Sequence, residues 1–138
     1  YKFILGKANV LKESGKDATI ICNGVMVGRS IEAEKILAAN GYNVRLVEMA
    51  SVKPIDEECI MESAKKTGAI VTVEEHTVMG GLGSAVAEVV VRNSPVPMKF
   101  VGINDIFAES GEHEKLLDKF GLSVQDIVNA VKEVVSKK

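Results

Sequence analysis

Short runs of apolar, mostly β-branched residues alternate along this chain with longer stretches whose apolar positions recur at helical spacing. Thr19-Ile20-Ile21-Cys22 lies between Lys16-Asp17 and Asn23-Gly24 and reads as a short strand. Val44 to Met49, Ile70 to Glu74 and Lys99 to Ile103 repeat that character. Three of these four runs are nearly continuous apolar stretches, the pattern of strands buried on both faces of a parallel sheet. Asn9 to Lys12 is a weaker strand, set off by the turn-rich Glu13-Ser14-Gly15-Lys16-Asp17, and is expected to pair antiparallel at an edge.

The intervening helices carry clearer start and stop signals. Arg29 to Asn40 places Ala33, Ile36, Leu37 and Asn40 on one stripe, with Gly41 following as the residue that ends the helix. Asp56 is suited to cap the next helix, Glu57 and Glu58 suit its positive start, and Ile55 and Ile60 have the spacing of a hydrophobic staple. That helix is expected to end at Lys65-Lys66-Thr67-Gly68. Gly83 to Arg92 forms a third, and Ser110 caps a short fourth carrying Leu116, Leu117 and Phe120 up to Gly121. Ser123-x-x-Asp126 is a capping box with Leu122 and Ile127 as staple, and Ile127, Val128, Val131, Val134 and Val135 follow at core spacing. Alternating strands and helices with short connections predict a three-layer α/β/α fold with right-handed crossovers. Ligands in such sheets bind beyond the carboxyl ends of the strands, here Asn23-Gly24, Met49-Ala50-Ser51, Glu74-Glu75-His76 and Asn104-Asp105.

Composition narrows the function classes. At 138 residues the chain fits one domain, 1–138, and can bury a core without disulfide or metal. Its net charge of −2 and aromatic content of 4% argue against a nucleic-acid partner. The longest uncharged stretches, such as Thr77–Ala87, are too short for a membrane span. Cys22 and Cys59, 37 positions apart and outside any CxxC, read as reduced thiols of a cytoplasmic protein. The chain opens Tyr1-Lys2-Phe3 without an initiating Met, so it is expected to be a piece of a longer polypeptide.

The strongest candidate for chemistry is Glu74-Glu75-His76 running into Gly80-Gly81-Leu82-Gly83-Ser84. A strand entering a glycine-rich turn that opens a helix can present backbone N–H groups to an anion. As a dinucleotide fingerprint the match is incomplete: Gly81-x-Gly83 fits, the third glycine position is Val86, and Asp105 follows Gly83 by 22 residues. The same glycines equally serve a tight turn and close helix–sheet packing. His76 beside carboxylates is a candidate acid, base or ligand, although no second His lies within helical reach and His113 reads as solvated. No nucleophile elbow, Walker loop or metal-ligand spacing is present, so the residues point to a binding or assembly module. His76, Gly80, Gly81, Gly83 and Ser84 are the candidate anion or interface site. The loops Gly24–Met26, Ala50–Ser51 and His76–Gly81, with Val25, Met26 and Met79, are expected to form an apolar contact face.

Taken in order, Gly15 to Ile21, the turn at Gly24, Ser51-Val52-Lys53-Pro54-Ile55-Asp56, Glu74-Glu75-His76 with Gly80 to Val86, and Ser110 to Leu117 with Gly121-Leu122 resemble the C-terminal domain of transketolase. The same domain ends deoxyxylulose-phosphate synthase and the β subunit of 2-oxoacid dehydrogenase E1 components. The Glu-Glu-His form ahead of Gly-Gly-Leu-Gly is most similar to transketolases encoded in two sections.

The resemblance implies a mixed five-stranded sheet with one antiparallel edge strand. It implies a part in an enzyme of the pentose phosphate pathway that moves a two-carbon ketol unit between sugar phosphates. Thiamine diphosphate and Mg would be bound by other domains. The family's Gly-Asp-Gly metal motif is absent here and no position matches its cofactor-activating glutamate, so no catalytic, cofactor-binding or metal residue is carried over. The implied partners are the remaining transketolase domains or an N-terminal section, in a homodimeric or heterotetrameric assembly, and the implied role is assembly with regulatory ligand binding. The alternatives are the corresponding domain of the other two branches, or a small nucleotide- or anion-binding regulatory module.

Overall fold

The computed structural model describes residues 3–77, 80–103, 117–119 and 121–138. Strands β1 (Asn9–Lys12), β2 (Ala18–Cys22), β3 (Val44–Glu48), β4 (Ile70–Thr77) and β5 (Met98–Ile103) form one sheet in the order β1-β3-β2-β4-β5. β1 runs antiparallel to β3, whereas the β2–β3, β2–β4 and β4–β5 pairs are parallel. The antiparallel edge and the parallel core match the expectation from sequence. β2 is buried at every residue, as its unbroken apolar run requires.

Helices α1 (Met26–Ala39), α2 (Glu57–Thr67), α3 (Leu82–Asn93) and α4 (Val124–Ser136) cover the two faces of the sheet. Ala18, Ile20 and Cys22 of β2 and Val71 and Val73 of β4 pack with Met26, Ala33 and Leu37 of α1 and Ile127, Val131 and Val134 of α4. The alternate residues Ile21 and Ile70 pack with Ile60 and Ala64 of α2 and Leu82, Val86 and Val90 of α3. The connection through α1 steps to one side of β2, and those through α2 and α3 step toward β5 on the opposite face. A single crossover hand requires this arrangement.

Several local signals are realised at the named residues. Asp56 accepts from the Cys59 backbone N–H at 3.1 Å, and Gly68 ends α2 in the left-handed region. Ser123 and Asp126 form the reciprocal capping box of α4, with Leu122 and Ile127 buried beneath it. Two expectations are corrected. α1 begins at Met26 rather than Arg29, and its buried stripe is Met26, Ser30, Ala33 and Leu37; Ile36 is 41% exposed. Both stripes have helical spacing and share Ala33 and Leu37, and the position of the sheet selects the first. β4 also runs three residues past Glu74, to Thr77. The fourth helix expected from Ser110 lies largely outside the described residues, as do Asn104, Asp105 and His113. Among the described residues, no helix is long and apolar enough to cross a membrane.

The two cysteines are free and buried. Burial pushes the Cys22 thiol from 9.0 up to about 12 and raises the Cys59 thiol as well. Between about pH 9 and 12 the native state therefore keeps a proton at Cys22 that the unfolded chain releases, so stability falls as pH rises through that window. Neither thiol is expected to react with an aromatic disulfide reagent at pH 8 until the chain unfolds. Rapid stoichiometric labelling of the folded protein would contradict this.

Candidate functional site

The strand order places a topological switch between β2 and β4, whose following connections leave in opposite directions. Crevices at such points are where open α/β sheets bind ligands. The carboxyl end of β4 and the start of α3 lie there, which brings the glycine-rich segment to the expected location.

The local geometry is set by Glu74. Along β4, Ile70 faces α2 and α3, so alternation turns Thr72 and Glu74 to the same side. The Glu74 carboxylate is 2% exposed and accepts from the Leu82 N–H through Oε1 at 2.8 Å and from the Gly83 N–H through Oε2 at 2.7 Å. These are two of the free donors that any helix leaves at its start, and the positive end of α3 favours a negative group there. The carboxylate thus occupies, from within the chain, the position that an external anion would use.

Each glycine of the turn has a separate task. Gly80 takes φ +80° and donates its N–H to Ser84 Oγ at 3.0 Å. Gly81 caps α3 with an extended backbone, φ −99° and ψ −152°, and lends no side chain. Gly83 is helical, and a Cβ there would stand 3.0 Å from Thr72 Oγ1 and 3.3 Å from both Glu74 Oε2 and Phe100 Cγ. Its missing side chain is what lets α3 settle onto β4 and β5 closely enough for the Glu74 bonds. Ser84 is half-buried in the first turn. His76 belongs to β4 by its backbone, while its side chain and residues 78–79 lie outside the description.

Of the loops expected to form a contact face, Val25 is 54% exposed and Ala50 is exposed, but Met26 is fully buried in the core and Ser51 is buried. Ser51 Oγ accepts from the Gly6 N–H at 3.2 Å, and Asp56 Oδ2 accepts from the Ala8 N–H at 2.9 Å, tying the lead-in to β1 onto the β3–α2 loop. An open groove joins this loop to the turn, lined by Pro54, Ile55, Gly80, Gly81, Ser84 and Ala85. Among the described residues, no group of three or more His, Cys, Asp or Glu side chains is arranged to hold a metal ion. The glycine-rich turn was legible in sequence. The capping role of Glu74 was not, because its partners Leu82 and Gly83 lie eight and nine residues on.

Comparison with known proteins agrees with this architecture. A family model described as "Transketolase, C-terminal domain" matches residues 6–127. The chain is 46% identical to the 6-deoxy-6-sulfo-D-fructose transketolase subunit SqwH of Clostridium sp. (strain MSTE9), over 99% of its own length and 42% of that protein. It is 39% identical to a subunit of the apulose-4-phosphate transketolase of Phocaeicola vulgatus, over 99% of its own length and 43% of that protein. A solved structure described as "Split gene transketolase, inactive beta4 tetramer" superposes with a TM-score of 0.94 at 50% identity, covering 99% of this chain and 44% of that one. The chain therefore spans less than half the length of these relatives. The family match over most of the chain and the five-stranded mixed sheet agree: this chain belongs to the transketolase C-terminal domain family.

Proposed function

We propose that this chain is the non-catalytic C-terminal domain of one subunit of a split transketolase, whose complete assembly transfers a two-carbon ketol unit between sugar phosphates. The observation that carries the reading is the superposition on a split-gene transketolase chain, with a TM-score of 0.94 and 50% identity over 99% of this chain. Two relatives named as transketolase subunits support it.

Thiamine diphosphate and Mg²⁺, which the family implies, do not fit the residues described. The helix start best suited to a diphosphate already has its Leu82 and Gly83 donors engaged by Glu74. Among the described residues, no group of three or more His, Cys, Asp or Glu side chains could hold a metal ion either. The cofactor and metal are therefore assigned to other parts of the enzyme, and no catalytic step is assigned to this domain.

Its role is assembly. The turn through His76, Gly80, Gly81, Gly83 and Ser84 is assigned to contact with neighbouring parts of the enzyme in preference to anion or regulatory ligand binding, because its helix start carries its own carboxylate. The name of the structural relative, an inactive tetramer of one subunit type, supports a subunit that self-associates and needs a partner N-terminal section for activity.

The test is a reconstitution assay in which ketol transfer from a ketose phosphate to an aldose phosphate is measured. Turnover is expected from the complete subunit with its N-terminal section, and none from the 138-residue chain alone. Turnover, or micromolar binding of thiamine diphosphate, by the chain alone would overturn the reading. Condensation of pyruvate or oxidation of a 2-oxoacid by the reconstituted pair would assign it to another branch of the family.

A further inference from the structure

The lead-in to β1 is fastened more firmly than a flexible linker would be. Phe3, Ile4 and Leu5 are all more than half exposed. Over the next three residues every backbone donor finds a partner. The Gly6 N–H donates to Ser51 Oγ at 3.2 Å, the Lys7 N–H closes a turn onto the Ile4 carbonyl at 3.0 Å, and the Ala8 N–H donates to Asp56 Oδ2 at 2.9 Å. Ser51 and Asp56 lie 45 and 48 residues on from the groups they hold. Pairing of β1 with β3 starts only at Asn9, so the sheet does not account for these bonds. Gly6 takes φ +79°, and a Cβ there would stand 3.1 Å from Pro54 Cγ, so the segment runs directly against the β3–α2 loop. Ala8, Val52 and Ile55 pack against the core cluster between the sheet and helices α2 and α3.

Asp56 carries the argument. Its Oδ1 caps α2 by accepting from the Cys59 N–H at 3.1 Å, while Oδ2 takes the Ala8 N–H. Capping alone does not call for a carboxylate, since serine caps about as well with one oxygen on a shorter side chain. The second oxygen is what ties the lead-in to the start of α2.

We propose that Gly6–Ala8 is a latched strap, with Asp56 as the latch and Ser51 as a second tie. It gives the domain a fixed entry, so that in the complete subunit the domain does not swing freely on its lead-in. The role in a complete subunit rests on the reading above; the strap itself is tested without any measurement of turnover.

The experiment is limited trypsin digestion of the complete polypeptide that contains these residues, with cleavage after Lys7 followed by mass spectrometry. Lys7 is exposed, so the state of the backbone around it sets the rate. The wild type is expected to resist cleavage there. Asp56→Ser keeps a cap for α2 and removes the oxygen that holds Ala8. It is expected to speed cleavage after Lys7 at least about tenfold, with the urea midpoint of the domain nearly unchanged. Rapid cleavage of the wild type, or an equal rate in Asp56→Ser, overturns the strap. A rise in cleavage that only tracks a lowered urea midpoint also overturns it, because that marks general unfolding. Should Asp56→Ser fail to fold, amide exchange of the wild type decides. Protection of the Gly6 and Ala8 N–H groups by at least about a hundredfold over an open peptide supports the proposal, and less overturns it. Absence of ketol transfer by the reconstituted pair would overturn the functional reading and leave the cleavage result standing.

Discussion

Glu74→Ala is expected to destabilise the domain by about 3 kcal/mol, because it strands two buried backbone donors at once. Each unsatisfied buried group costs roughly 1–3 kcal/mol, and loss of a carboxylate at a helix start adds a further fraction. Leu82 and Gly83 are buried, and water has little access to replace the carboxylate oxygens lost 2.8 and 2.7 Å away. Glu74→Gln keeps one acceptor and most of the volume, so roughly half that loss is expected. Urea unfolding midpoints with an unchanged slope are the measurement. An alanine variant within about 0.5 kcal/mol of wild type would show that the α3 start finds its partners elsewhere.

Gly15→Ala is expected to be at least as severe. Gly15 lies in the turn between β1 and β2 with φ +145°, and a Cβ there would stand 2.4 Å from the Val44 carbonyl carbon and 2.5 Å from the Arg45 backbone nitrogen. Both atoms belong to the backbone of β3, which β1 and β2 clamp from either side. Neither a rotamer change nor a small side-chain shift relieves the clash, so the turn must lift away from the sheet. That movement also disturbs the ion pair between Glu13 and the buried Arg45, whose atoms are 2.6 Å apart. A loss above about 3 kcal/mol, or failure to accumulate folded protein, is expected. Gly28→Ala is the internal comparison: Gly28 is exposed on α1 with nothing within 4 Å of the added Cβ and no left-handed backbone. Alanine there is expected to stabilise by up to about 1 kcal/mol. Equal melting of Gly15→Ala and wild type would overturn the close-approach argument.

The elements most legible in sequence were those fixed by contacts within one turn of chain. Asp56, Gly68, Gly41 and the Ser123–Asp126 box sit where their residue types place them, because a cap is satisfied by backbone only a few residues away. The apolar runs of β2 and β3 likewise read directly as strands covered on both faces. The buried face of α1 was legible only in part, at Ala33 and Leu37. Met26, Ser30, Ala33 and Leu37 compete with a stripe containing Ile36 and Asn40 at the same spacing, and only the neighbouring layers distinguish them.

The sequence by itself determined the alternation of strands and helices, the parallel core with its antiparallel edge, and the family to which the ordered motifs point. The alternation, the parallel core and its antiparallel edge follow from periodicity and from short-range turn and cap signals, which the chain carries locally, whereas the family rests on the resemblance of its ordered motifs. The tertiary structure alone decided that the glycine-rich helix start is filled by Glu74. It alone decided that Gly15 and Gly83 are required by atoms of other elements. Each of these depends on distances between residues far apart in the chain or on separate elements, and hydrophobic periodicity carries no information about which neighbours a folded surface meets.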